Sequence, residues 1–134
     1  MGTTANLVSE REIIVFGNDN IVIRDCFETL RGGRTLDVDT PDFLANVIYG
    51  GHVIIVEELT NVFKPFPITS AGEYDTLPTN HRIVGILRYT ITKKHPFASV
   101  MIRGGMNPKA SVIDMTSIIN DVEEALPLIT FNID

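Results

Sequence analysis

The chain is short of the features that usually announce a function. Its 134 residues hold a single cysteine and no tryptophan. The lone Cys26 excludes an internal disulfide framework, fits a reducing compartment, and reads as a small core residue rather than a reactive thiol. Apolar runs are short, the longest being of the kind seen at Val53, Ile54, Ile55 and Val56. That is far below the roughly 20 residues a spanning helix needs, so a soluble protein with no membrane partner is expected. The first twelve residues lack a basic stretch followed by an apolar core, and Asn6 breaks a myristoylation pattern, so neither a secretory leader nor a lipid anchor is read there. Basic residues are outnumbered, 11 against 17 acidic, for a net charge of -6. Long-range repulsion of a phosphate backbone therefore argues against a nucleic-acid partner.

Catalytic and cofactor signatures are missing as well. There is no Gly-x-Ser-x-Gly elbow, no Walker A loop and no dinucleotide glycine fingerprint. Asp37, Asp39 and Asp42 fall short of a calcium loop, lacking its glycine and its terminal glutamate, and read as loop and capping residues. Glu57 and Glu58 are adjacent on an expected strand, so they point to opposite faces and make a poor acid/base pair. His52, His81 and His95 have no metal-ligand spacing. The expectation is no enzyme, no catalytic residue, no metal, no cofactor and no small-molecule substrate. A site assembled from scattered polar residues stays open as an alternative. Lys93, Lys94 and His95 read as a solvated hairpin tip. Phe63 and Phe66, set among Pro65 and Pro67, read as core packing ahead of an exposed contact patch.

What is present is β patterning. At this length one domain suffices, able to bury about two-thirds of the unfolded surface. Residues 1–10 read as a mobile arm and 11–134 as a single β-rich domain. Residues 12–16 and 21–24 are β-branched runs around Gly17, Asn18, Asp19 and Asn20, which predicts a hairpin. Thr40, Pro41 and the spacing of Phe43, Leu44, Val47 and Ile48 predict a short helix near 41–48, ended by Gly50 and Gly51. Strands are expected over 52–58 and 61–69, the second confined to an edge or made irregular by its prolines. Alternation over 83–92 and 98–103 predicts two more, the latter ended by Gly104 and Gly105. Asp114 as cap, with a stripe of Met115, Ile118, Ile119, Val122 and Leu126 before Pro127, predicts a C-terminal helix near 114–126. A closing strand follows over 128–133, with Ile129, Phe131 and Ile133 on one face. The fold class is mainly β (α+β).

From His52 to Ile133 the order of these segments resembles the lambda-type head decoration proteins of bacteriophages. HVIIVEE and VFKPFPIT look like that family's opening strands, IVGIL like its glycine-containing strand, and ASVMIRGGMNPKA like its alternating strand with a glycine turn. The helix and LITFNI complete the match, and the chain also looks like auxiliary capsid proteins of crAss-like phages. The resemblance implies a β-tulip-like compact domain and a structural role on the virion. Such a protein binds the outer surface of an expanded capsid and reinforces contacts between major capsid proteins, commonly as a trimer. It further implies a contact arm at the N-terminus that adds a strand to the capsid protein, with Thr3, Thr4, Asn6, Leu7, Val8, Arg11, Ile13 and Val15 as its candidate residues. A low-copy fibre, tail or vertex adaptor built on a similar domain is the alternative reading.

Overall fold

The structure is a computed structural model, and it describes residues 19–38 and 46–132. The protein is mainly β. A single helical turn, α1 (Asp19–Val22), leads into β1 (Ile23–Thr29), and the short β2 (Arg34–Thr35) and β3 (Val47–Ile48) follow. Next come β4 (Val53–Glu57), β5 (Phe63–Pro65), β6 (His81–Leu87), β7 (Ile91–Thr92), β8 (Phe97–Ala98) and β9 (Val100–Met106). A 3-10 turn at Pro108–Ala110, the helix α2 (Ile119–Ala125) and β10 (Ile129–Phe131) end the described chain. One six-stranded sheet, ordered β1-β9-β6-β4-β5, carries the fold, with β10 added parallel to β9. Two small ladders, β2 with β8 and β3 with β7, stand beside it.

The centre of this sheet is buried on both faces, and the sequence of β4 is built for that. Val53, Ile54, Ile55 and Val56 run apolar without alternation, and all four are buried. Val53 and Ile55 join the larger core with Phe66, Tyr74, Ile86, Met101, Val122 of α2 and the Leu126 that caps it. Ile54 points the other way, into a second core with Leu36, Val38, Ile48, Leu87, Ala98 and Val100. Each face thus has its own cover, α2 on one side and the short ladders on the other. Within β6 a register shift opposite Ile54 and Ile55 sends Ile83 and Ile86 to the first core and Val84 and Leu87 to the second. The bulged residue puts Ile83 and Ile86, three positions apart, on the same face.

Several expected elements are relocated. The first arm of the 12–24 hairpin lies outside the described residues; in its second arm Ile21 and Val22 belong to α1, and only from Ile23 is the chain extended. The helix near 41–48 falls outside the described residues up to Ala45, and its last two positions form β3 against Ile91 and Thr92. Those two residues instead place Ile48 in the second core. The strand expected over 83–92 stops at Leu87. There Gly51 N–H bonds the Leu87 carbonyl at 2.7 Å and Thr90 Oγ1 accepts from Gly50 N–H at 3.1 Å, turning the chain into β7. The strand over 61–69 shortens to β5, an edge strand in which Pro65 is tolerated because no further strand pairs on its outer side. Gly104 and Gly105 do not end β9, which continues through them to Met106.

The C-terminal helix is shorter than its apolar stripe. Asp114 Oδ1 takes the Thr116 N–H at 3.0 Å and the Thr116 hydroxyl at 2.6 Å, organising a turn rather than capping α2. The helix starts after Ile118 and closes at Leu126, before Pro127. Met115, Ile118, Val122 and Leu126 are nonetheless all buried in one cluster, because successive turns keep the same three- to four-residue return as a helix.

Candidate functional site

The histidines lie apart and are explained by packing and local bonding. His52, only 3% exposed, sits 5.1 Å from the Tyr74 ring, and its Nε2 is 2.9 Å from the Phe66 carbonyl. A carbonyl only accepts, so Nε2 carries the proton of a neutral imidazole. Burial holds the His52 pKa down to about 4, against the smaller opposing pull of the Phe66 bond. Burial also pushes the Tyr74 phenol above its ordinary value. A histidine depressed on folding contributes stability above its unfolded pKa near 6.5, and that contribution is lost as pH falls toward 4. About 3 kcal/mol should disappear between pH 7 and pH 4. Urea titrations across that range are expected to show this loss in the wild type and a clearly smaller one in His52→Gln.

On the same face of the sheet as Lys64, a polar cluster occupies the open end of β4 and β6. His81 Nδ1 donates to the Thr79 carbonyl at 2.9 Å and its Nε2 lies 3.3 Å from Lys64 Nζ. Lys64 pairs with Glu57 at 3.8 Å, and the Thr60 hydroxyl donates to Glu57 Oε2 at 2.7 Å. The Thr60 bond, followed by the Lys64 and His81 charges, holds the Glu57 carboxyl below its ordinary value. His95 lies in the β7–β8 turn, bridged to Thr92, so the 93–95 segment is a hairpin tip as expected. Among the described residues no group of three histidine, cysteine or acidic side chains is arranged to hold a metal. No helix among them is long and apolar enough to cross a membrane.

The opposite face of that end is a cleft of about 660 Å3. Val56 pairs directly with Phe63 on β5 and with Arg82 on β6, so these three side chains stand in a row on one face. The 34–37 segment walls the row, with Asp37 N–H bonding the Phe63 carbonyl at 2.8 Å. Arg34 lays its guanidinium over the Phe63 ring, 5.3 Å from its centroid. Nη1 of Arg34 is anchored to the carbonyls of Arg31 at 2.9 Å and Gly33 at 2.6 Å. Asn61, in the left-handed conformation at φ 57°, closes the cleft at the β4–β5 turn. Residue reading missed this site: Arg34, Val56, Phe63 and Arg82 are spread along the chain and carry no motif, and only strand register brings them together. Phe63 is half-buried under Arg34 while Phe66 is fully buried, so the two phenylalanines share no contact patch.

A second surface feature is the bulge in β1. Cys26 faces Gly104 and Glu28 faces Arg103, leaving Phe27 as the extra residue and 75% exposed. A bulge re-aims a side chain in this way. Cys26 itself is half-buried against the larger core, not fully inside it. The candidate arm residues Thr3, Thr4, Asn6, Leu7, Val8, Arg11, Ile13 and Val15 lie outside the described residues.

No protein-family model, curated protein or solved structure matches this chain.

Proposed function

We propose that this protein is a structural virion component that binds the outer surface of an expanded phage capsid and reinforces contacts between major capsid proteins. What supports the reading is the resemblance, in the order of segments from His52 to Ile133, to lambda-type head decoration proteins. In the fold, those segments supply β4, β5, β6, β9, α2 and β10; all but β5 contribute residues to the larger core, and β5 pairs with β4 at the sheet edge. The exposed Phe27 offers the kind of aromatic anchor that protein interfaces use. In this reading three copies cluster at a capsid joint, and linked weak contacts add through effective concentration. The N-terminal arm contributes by strand addition.

The test is the amount of this protein in purified virions, measured by quantitative mass spectrometry against the major capsid protein. A copy number of the same order as the capsid protein is the expected result. A handful of copies would place the protein at a vertex or tail, and its absence from virions would overturn the reading. Deleting residues 1–10 should weaken binding to purified capsids while leaving the melting temperature of the domain unchanged; undiminished binding would remove the arm from the mechanism.

A further inference from the structure

We infer that copies of this chain associate head to tail, the cationic face around the β2–β8 ladder of one copy docking on the acidic face around α2 of the next. Charge is sorted by segment. Residues 30–36 and 88–99 carry Arg31, Arg34, Arg88, Lys93 and Lys94 and no acidic residue, although acidic residues outnumber basic ones 17 to 11 in the chain. Residues 110–132 carry Asp114, Asp121, Glu123 and Glu124 and no lysine, arginine or histidine.

The fold gathers each set and places the two on opposite sides of the sheet. Leu36 N–H bonds the Pro96 carbonyl at 2.9 Å, Thr35 pairs with Phe97, and Arg88 N–H bonds the Ser99 carbonyl at 2.9 Å, which draws both cationic segments together. Leu36 and Ala98 seat that ladder on the second core, while Val122 and Leu126 hold α2 on the first. Each set accompanies exposed apolar side chains. Phe97, 61% exposed, lies against Gly33, where a Cβ would come within 2.8 Å of its ring, and Tyr89 is 50% exposed with the Arg88 guanidinium 4.7 Å from its ring centroid. On the acidic side Leu128, 63% exposed, follows Glu123 and Glu124 in the turn that leaves α2.

Charge complementarity selects a second copy as the occupant. Because the two faces lie on opposite sides of the sheet, an isologous contact would set cation on cation or carboxylate on carboxylate; only a heterologous contact pairs them. A net charge of -6 repels two copies in most orientations and leaves this one favoured. Arg31, Lys94, Glu123 and Glu124 are exposed and enter no ion pair among the described residues, so their charge can meet a neighbour's. The exposed Phe97 and Leu128 add the apolar area that protein interfaces bury inside a polar rim. A phosphate polymer would match the cationic face alone. The inference stands apart from the capsid reading: self-association is read in free solution and copy number in virions, so either can fail without the other.

The experiment is analytical ultracentrifugation of the full-length protein. Its weight-average mass should climb above the monomer's with concentration at ~20 mM salt and fall back at ~500 mM, as screening shortens the reach of the charges. Arg31→Glu with Lys94→Glu, and separately Glu123→Lys with Glu124→Lys, should each weaken association at least about tenfold while keeping the wild-type melting temperature. An equimolar mixture of the two variants should associate again, since each retains the native face that the other needs. Wild-type protein that stays monomeric, association indifferent to salt, or a mixture no more associated than its components would each overturn the inference. Binding of an oligo-dT strand by protein that stays monomeric would do the same, and would assign the cationic face to a phosphate backbone.

Discussion

Replacing Gly104 by alanine is expected to cost about 3–5 kcal/mol of stability, while the same change at its neighbour Gly105 should stay within about 1 kcal/mol of wild type. The two glycines look equivalent in sequence and are not equivalent in the sheet. Gly104 has φ +153°, a conformation that side chains resist, and a Cβ there would run into the Asp25 carbonyl oxygen and press on Met101 Sδ at 2.8 Å. The Asp25 oxygen is backbone of the bulged β1, so it has little room to retreat. At Gly105 the backbone is ordinary and a Cβ would meet only the Thr130 oxygen at 3.7 Å. Gly32, at φ +77° with open space around it, separates strain from collision: Gly32→Ala should cost about 1–2 kcal/mol. Thermal melts of the three variants read the difference directly. A Gly104→Ala protein as stable as Gly32→Ala would mean that β1 gives way freely.

Phe66→Ala should cost about 3–5 kcal/mol, and Phe63→Ala much less. Phe66 is buried in the larger core, edge-on to the Tyr74 ring at 5.4 Å and 84°, and its backbone is fastened at both ends. Its N–H bonds the Val53 carbonyl at 2.8 Å, and its own carbonyl takes the His52 proton. Those bonds keep the segment from collapsing into the space left by the ring, so the cavity persists and its cost is felt in full. Phe63 is half-buried, and the Arg34 stem can settle toward the space its ring vacates. Equal destabilisation by the two substitutions in chemical denaturation would contradict this division. The same pair bears on the cleft, since Phe63→Ala should also loosen Arg34, which stacks on that ring.

Legibility followed the range of the interactions. The unbroken apolar run of β4, the alternation leading into β9 and the stripe from Met115 to Leu126 were all readable, because burial imposes a period on neighbouring residues whatever lies opposite. Element ends were less so. Asp114 has the chemistry of a helix cap and serves a turn, and Val47 and Ile48 have helical spacing and form a strand, since in each case a distant partner outweighs a propensity worth less than about 1 kcal/mol per residue. The double glycine at 104–105 reads locally as a stop, yet the ladder to β1 and β10 on either side carries β9 straight through it.

The sequence by itself determined a mainly β fold and the packed stripe of its C-terminal helical segment, because hydrophobic periodicity is a local consequence of which face meets water. Only the tertiary structure decided which glycine is indispensable, which phenylalanine fills the core and which arginines share a cleft. Those depend on strand register, and register is set by long-range pairing that no window of neighbouring residues contains.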